Sequence, residues 1–243
     1  MSETINIDKV VIYGSGYWAR NIIETLNDIM VDGAELTVFS RHNVDDFNAW
    51  LLKKNFRISV LVKDGRAVAG ELAGRPVIIA NSARDHAEIG VFSLSEHSPV
   101  LIEKPMALNG QDANMLLASA DKNSGMLASA FVFLFAPYML KLRDQLNSVL
   151  PPKSIHISWI DPQYIPKRYD SSVPIYKDVL PHLTSLLNLL YPNLILEFKS
   201  LDVKRGGALV VLDFSTDDTS IELIMERDGV SRTRLIEVTT QDG

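Results

Sequence analysis

The fold is decided by residues 10–19, which read Val-Val-Ile-Tyr-Gly-Ser-Gly-Tyr-Trp-Ala. An apolar strand runs into a glycine turn and then into the start of a helix, with the spacing G-x-G-x-x-A. Gly14 permits a tight turn, Gly16 lets a pyrophosphate approach the backbone, and Ala19 lets the helix pack close to the strand. The helix N-terminus offers free N–H groups to phosphates. The motif alone also fits a glycine turn that binds no ligand.

Apolar strands and helices alternate from this turn to about residue 120. The predicted strands are residues 9–13, 36–39, 58–62, 76–80 and 100–102, and the predicted helices are residues 17–29, 44–54, 83–94 and 111–122. Strands that are apolar on both faces and separated by helices indicate a parallel sheet covered on both sides. The sequence therefore predicts an α/β fold with a Rossmann-type dinucleotide-binding domain over residues 1–122.

The second half of the chain has a different pattern. It predicts strands at 126–133 and 154–160, helices at 137–150 and 177–190, and a proline-rich loop over the active site at 161–175. Four further strands, at 195–204, 208–214, 220–227 and 231–239, are separated by turn residues such as Asp228-Gly229. We therefore expect a smaller α+β substrate domain with a mostly antiparallel sheet over residues 123–243.

The turn after the second strand bears on the choice of nucleotide. An acidic residue there would bind the ribose 2′-hydroxyl of NAD, whereas an arginine accommodates the 2′-phosphate of NADP. The sequence offers Ser40 and Arg41 and no carboxylate, and a guanidinium can bond a phosphate through its planar fork of donors. The pattern favours NADP, with NAD as the alternative. Ser40 and Arg41 are also typical of a solvent-exposed turn that binds no ligand.

Composition excludes several classes of protein. The 243 residues include no cysteine, which excludes disulfides and cysteine-held metals. Their net charge of −6 argues against a nucleic-acid partner. The longest apolar run, residues 126–140, is shorter than the roughly 20 residues that span a bilayer. No motif indicates a metal site. The polar N-terminus shows no signal peptide, so we expect a cytoplasmic protein without a membrane partner.

Two further groups have the chemistry of a reaction site. Glu103-Lys104-Pro105 ends the fifth strand, at the edge where open α/β sheets bind ligands, and a lysine there can reach a substrate. Asp178 and His182 lie one turn apart on a predicted helix, an arrangement that suits general acid–base catalysis. Pro181 is expected near the start of that helix, where proline is tolerated. Each group alone is also typical of solvated surface charges.

The glycine turn, Glu103-Lys104-Pro105 and Asp178-x-x-x-His182, in this order, resemble the Gfo/Idh/MocA family of NAD(P)-dependent oxidoreductases. Asn81-Ser82 with His86, after the fourth strand, adds to the resemblance. It implies hydride transfer between nicotinamide and a small-molecule substrate, with Lys104 polarising the substrate, His182 exchanging its proton and Asp178 orienting the histidine. The implied cofactor contacts are Gly14, Ser15, Gly16, Tyr17, Trp18, Ala19, Ser40, Arg41, Asn81, Ser82, His86, Glu103 and Lys104.

The chain departs from the family pattern at three positions. Ser185 stands where an aspartate is frequent and Lys177 where a glycine is frequent. An arginine is frequent before Pro137, where this chain has Phe133-Leu134-Phe135-Ala136. These changes make the pocket less like a sugar site. A sugar-like alcohol and a less polar carbonyl or imine, as in natural-product tailoring, both stay open as substrates. The apolar run 131–135 and three tyrosines favour the second; the tyrosines are Tyr164, Tyr169 and Tyr176.

Two other functions fit parts of the sequence pattern. A dinucleotide-binding sensor or regulator of the same fold fits the lost accessory residues, but Lys104, Asp178 and His182 are retained. A Rossmann-type methyltransferase fits poorly, because that class needs no Glu-Lys-Pro turn. A homo-oligomer is left open, because the C-terminal sheet is shorter than is usual in the family.

Overall fold

The computed structural model describes residues 7–72, 74–146, 152–162 and 174–240. The chain forms two compact units, Met1–Ala130 and Phe131–Gly243. The predicted domain boundary after residue 122 falls at the end of a helix of the first unit. Eleven strands and six α-helices make up the regular structure of the described residues.

The first unit is built on a six-stranded sheet. Its order is β3-β2-β1-β4-β5-β6, and every neighbouring pair is parallel. The order reverses between β1 and β4, which is the switch point at which sheets of this kind bind ligands. The strands are β1 (Lys9–Tyr13), β2 (Glu35–Ser40), β3 (Ser59–Asp64), β4 (Val77–Ile79), β5 (Val100–Ile102) and β6 (Leu127–Ser129).

Helices cover both faces of this sheet, as the alternating pattern predicts. Buried side chains form two clusters. One contains Ala19, Ile23 and Leu26 of α1, and the other contains Ile89 and Leu94 of α3 together with Leu116 of α4. The helices are α1 (Tyr17–Ile29), α2 (Val44–Leu51), α3 (His86–Ser95) and α4 (Gly110–Lys122), and a short 3₁₀ turn, Ala83–Asp85, precedes α3.

The second unit packs helix α6 against a mixed five-stranded sheet of order β11-β7-β10-β9-β8. Three neighbouring pairs are antiparallel, but β10 runs parallel to β7. Leu183 and Leu187 of α6 lie in one buried cluster with Ile157 and Leu223 of the sheet. The elements are α5 (Pro137–Leu146), β7 (Pro152–Pro162), α6 (Ile175–Leu190), β8 (Glu197–Lys204), β9 (Leu209–Ser215), β10 (Ser220–Gly229) and β11 (Thr233–Thr240).

Two local expectations differ from the structure. The strand expected over 126–133 in the second domain is only Leu127–Ser129, and it pairs with β5 in the first sheet. Val132–Phe135 forms a 3₁₀ turn. Pro181 lies inside α6 rather than near its start, because the helix begins at Ile175.

Two other expectations concern the loop and the membrane. The loop expected over the active site falls mostly on residues 163–173, including Tyr164 and Tyr169, which lie outside the described residues. No helix in the described ranges combines the length and apolarity needed to cross a bilayer.

Candidate functional site

A cavity of about 510 Å³ opens at the carboxyl ends of the strands in the first unit. Such a volume lies in the range of small-molecule and cofactor sites, roughly 300–1,000 Å³. Nine of the sequence-predicted contacts line it together: Gly14, Ser15, Gly16, Tyr17, Trp18, Ser40, Arg41, Asn81 and Ser82. The structure thus gathers residues from the ends of β1, β2 and β4 around one space.

The two glycines of the turn have different surroundings. Gly14 has a φ of +122°, and a Cβ added there would lie 2.7 Å from the Ala80 carbonyl oxygen. The fold therefore requires glycine at this position. A Cβ added at Gly16 would meet nothing within 4 Å, although Gly16 lines the cavity. The fold does not require glycine at position 16, so the space beside it is available to a ligand.

Helix α1 begins at the cavity with its backbone donors unused by side chains. Its N-cap residue, Gly16, supplies no side-chain cap, and its first turn contains no acidic residue. The exposed N–H groups and the positive dipole end therefore favour an anion at this point. Ala19 is fully buried in the core behind the turn; it allows the helix to pack and does not line the cavity.

Two serines join the glycine turn to the turn after β2. The hydroxyls of Ser15 and Ser40 lie 2.7 Å apart, and the Ser40 hydroxyl donates to the His42 carbonyl oxygen at 2.8 Å. Ser40 is only 6% exposed. Its hydroxyl therefore braces the turn, and the exposed cationic side chain at this end of the cavity is Arg41.

Three arginines from successive strand ends line the cavity: Arg41 after β2, Arg66 after β3 and Arg84 after β4. Arg66 is paired with Asp85 at 3.2 Å and with Glu88, and it holds the pKa of the Glu88 carboxyl below its usual value. Arg41 and Arg84 form no ion pair with any described residue. Their charges are therefore available to an anionic ligand.

Arg66 and Arg84 were not predicted from the sequence. The signal was present, because each follows the carboxyl end of a strand whose neighbours carry predicted site residues. No fixed motif spacing singles them out.

His86 lies outside the cavity lining and is 1% exposed. Its Nδ1 lies 2.9 Å from the Pro105 carbonyl oxygen and its Nε2 lies 3.3 Å from the Asn81 carbonyl oxygen. Burial lowers the pKa of the imidazole below its usual value, against the two hydrogen bonds. His86 therefore ties the loop after β4 to the loop after β5.

Glu103 and Lys104 follow β5, as the motif predicts, but neither lines the cavity. The Lys104 backbone N–H donates to the Glu103 carboxylate at 3.2 Å. Burial raises the pKa of the Glu103 carboxyl, and the bond and charge of Lys104 partly offset that effect. Glu103 thus braces the turn that carries the lysine.

In the second unit, an aromatic cage surrounds His182 on α6. Its imidazole stacks on the Trp159 indole with ring centres 5.2 Å apart and planes 7° apart. Phe133 meets the imidazole edge-on at 5.4 Å, and Phe131 at 6.5 Å. His182 is 6% exposed. The ring is therefore held in one plane, which a proton-transferring group needs.

Asp178 is half-buried on α6, one turn before His182, and accepts a hydrogen bond from Arg227 Nη2 on β10 at 3.3 Å. The pairing brings a carboxylate and a guanidinium together within the second unit. Arg227 was not predicted from the sequence, because strand register decides which residue of β10 faces the helix.

Trp159 is in turn fixed by two charged groups. Its Nε1–H donates to Asp161 Oδ2 at 3.1 Å. Arg234 Nη2 donates to Asp161 Oδ1 at 2.6 Å, and its guanidinium carbon lies 3.7 Å from the centre of the indole ring. Sequence reasoning missed these three residues. Trp159 and Asp161 are two residues apart on β7, and Arg234 meets them only because β11 pairs with β7.

The first half of the chain also matches the sequence model of a protein family. Residues 9–131 match the model of an oxidoreductase family with an NAD-binding Rossmann fold. Inositol 2-dehydrogenase of Acidothermus cellulolyticus is 24% identical over 203 residues, which cover 82% of this chain and 58% of that protein. The chain thus spans little more than half the length of this relative.

Two solved structures share the fold, each with a TM-score of 0.77. GenD2 from gentamicin A biosynthesis, in complex with NAD, is 16% identical and is matched over 100% of this chain and 72% of its own. KijD10, a 3-ketoreductase from Actinomadura kijaniata in complex with TDP-benzene and NADP, is 20% identical and is matched over 97% and 74%. Relatives of this fold therefore include proteins that bind NAD and proteins that bind NADP.

Proposed function

The chain belongs to the Gfo/Idh/MocA oxidoreductase family, and on that premise we propose that it is an NADP-dependent oxidoreductase acting on a small-molecule alcohol, carbonyl or imine. The observation that carries this proposal is the cavity of the first unit. It combines the glycine turn, an uncapped helix N-terminus and the guanidinium of Arg41, which forms no ion pair with any described residue, in one lining.

The cavity residues fit a dinucleotide. The space beside Gly16 and the N–H groups of α1 suit a pyrophosphate. Arg41 suits the 2′-phosphate of NADP, because the turn at residues 40–43 contains no carboxylate and the guanidinium has no ion-pair partner among the described residues. We assign the remaining contacts to Tyr17, Trp18, Asn81 and Ser82. Bound nicotinamide would supply the hydride chemistry.

The chain's own residues supply binding and proton transfer in this proposal. Lys104 donates a hydrogen bond to the substrate oxygen and so favours charge developing on it. His182 takes the hydroxyl proton during oxidation and returns a proton during reduction. Asp178 lies one turn before His182 and holds a negative charge on that helix. His86 and Glu103 act as braces of the loops that carry Asn81 and Lys104.

The aromatic cage supports a less polar substrate than an unmodified sugar. Phe131, Phe133 and Trp159 surround the imidazole of His182, and an apolar wall favours apolar ligand surface. The 3-ketoreductase among the structural neighbours acts on a ketone, by its name. We propose a ketone or the corresponding alcohol first, with an imine as the second choice.

The test is a turnover assay that follows NADPH absorbance with a panel of ketones and imines. We expect Lys104→Ala and His182→Ala each to lower kcat by a factor of about 10² to 10⁴, the usual contribution of a positioned acid or base. Lys141→Ala, at an exposed position of α5, is the matched control and should retain full activity. His182→Ala is expected to lower the melting temperature because it leaves a cavity in the aromatic cage, so circular dichroism at the assay temperature should first show that each variant is folded.

Two outcomes would contradict the proposal. Unchanged turnover in both variants would remove the assigned roles. Tight NADPH binding without hydride exchange on any member of the panel would instead favour the regulator of the same fold.

A further inference from the structure

Three residues, Trp159, Asp161 and Arg234, form a hydrogen-bonded group beside His182, and two of them are charged. Asp161 binds the other two, because its two carboxylate oxygens accept from Trp159 Nε1 at 3.1 Å and from Arg234 Nη2 at 2.6 Å. Arg234 Nη1 donates in addition to the carbonyl oxygens of Ile160 and Thr233, each at 2.7 Å. The guanidinium therefore cannot swing away from the indole without losing several hydrogen bonds.

The indole ring of Trp159 is shared between a permanent cation and a titratable ring. Arg234 lies 3.7 Å above the ring centre, and the imidazole of His182 stacks on the same indole at 5.2 Å. The guanidinium is thus no farther from the imidazole than these two distances together. Protonation of His182 would bring a second cation to one aromatic ring in a largely buried place, where charges interact more strongly than in water.

We infer that Asp161, Trp159 and Arg234 form one positioning unit for His182, in which Trp159 fixes the ring plane and the Asp161–Arg234 pair sets how readily the imidazole takes up a proton. The inference deepens the proposed function and rests on it for the destination of that proton. The unit acts through His182, so its three members are positioning residues. Their spacing along the chain has no motif, because β7 and β11 bring them together.

Removing one or the other charge of the Asp161–Arg234 pair should change the protonation of His182 in opposite directions. Charged groups on the elements around His182 include Asp178 on α6, which pairs with Arg227 on β10, and Asp161 on β7, which pairs with Arg234 on β11. Removing the Arg234 charge leaves Asp161 unbalanced and favours the imidazolium. Removing the Asp161 charge takes a negative charge away from the surroundings of the imidazole and favours the neutral ring. A merely structural role would not give opposite signs.

Trp159 itself provides the readout, because protonated imidazole quenches indole emission on contact. The chain has three tryptophans, so the double variant Trp18→Phe, Trp50→Phe leaves Trp159 as the only emitter. We expect its emission to fall as the pH is lowered through the titration of His182, and His182→Gln should abolish that change. No nucleotide or substrate is needed, so failure of the proposed function would not disturb this measurement.

In this background Arg234→Gln should raise the titration midpoint and Asp161→Asn should lower it, each by about half a pH unit for a partly screened charge at this range. Arg234→Lys keeps the charge and should leave the midpoint in place. If the double variant does not fold, histidine ring NMR on the chain with its tryptophans intact, assigned with His182→Gln, measures the same midpoints. Shifts of one sign in both variants, no shift in either, or a titration that survives His182→Gln would overturn the inference.

Discussion

Gly14 and Gly16 belong to one motif, but each is glycine for a different physical reason. Gly14→Ala would force a Cβ to 2.7 Å from the Ala80 carbonyl oxygen at a φ of +122°, a conformation that alone costs about 1–3 kcal/mol. We expect a melting temperature lower by several degrees, at about 2–4 °C per kcal/mol for a chain of this size.

Gly16→Ala is the matched control for that experiment, because its added methyl group meets no protein atom. We expect an unchanged melting temperature and weaker NADPH binding, since the methyl group occupies cavity space. Differential scanning fluorimetry and calorimetric titration measure the two effects. A stable Gly14→Ala variant, or undiminished NADPH binding by Gly16→Ala, would contradict these reasons.

Glu103 gives a prediction with a definite dependence on pH. Burial raises the pKa of its carboxyl above 4.5, so the folded protein favours the protonated form, and stability is lost as the pH rises through the raised value. Glu103→Gln can still accept the Lys104 N–H bond and has no charge to bury. Below pH 4.5 the variant and the unmodified protein should have the same melting temperature. At neutral pH the variant should have the higher melting temperature. A lower melting temperature of the variant at neutral pH would show that the carboxylate stabilises the fold.

Single residues differ in how far the sequence predicts their place. Gly14 and Gly16 follow from a motif in which each position has a backbone role. Arg41 follows from its place after β2. Arg66 and Arg84 meet Arg41 only through the order of three strands, and Trp159 meets Arg234 only through the register of β7 and β11. Short-range patterns do not contain that information.

At the scale of elements, the N-terminus of α1 links stability to binding. Gly16→Asp would add a carboxylate cap to a helix that has none, which stabilises a helix by a few tenths of a kcal/mol over glycine. The same charge would repel a pyrophosphate. We therefore expect an equal or slightly higher melting temperature and a loss of NADPH affinity of at least about tenfold, or 1.4 kcal/mol.

The control for this variant is Gly16→Asn, which caps the helix without a charge. It should lose much less affinity than Gly16→Asp in the same calorimetric titration. Equal affinities of the two variants would mean that the dipole end of α1 does not face the anionic part of the ligand.

Elements with clear periodicity were predicted, and elements decided by long-range contacts were not. Helix α1 lies at the predicted residues, because its apolar positions have helical spacing and glycine turns flank it. The strand after α4 is short and joins the first sheet, because it pairs with β5. That pairing is a long-range contact. The parallel alignment of β7 and β10 likewise depends on topology, since a strand's own sequence does not state its partner's direction.

At the scale of the whole molecule, two units carry different parts of the proposed chemistry. The first unit contains the cavity, Lys104 and its braces, and the second contains His182 with its aromatic cage. The Rossmann architecture was predicted from the sequence, because strands apolar on both faces and alternating with helices allow few other folds. The substrate was not predicted, because specificity depends on how side chains from separate elements come together.

In the proposed function, the cavity of the first unit binds NADP in preference to NAD through Arg41. The most direct test is calorimetric titration of the whole chain with NADPH and, separately, with NADH, repeated on Arg41→Gln. We expect NADPH to bind more tightly than NADH by at least about tenfold, or 1.4 kcal/mol, and the variant to lose most of that preference, with its NADH affinity little changed. Preference for NADH, binding of neither nucleotide, or a preference that survives in Arg41→Gln would contradict it.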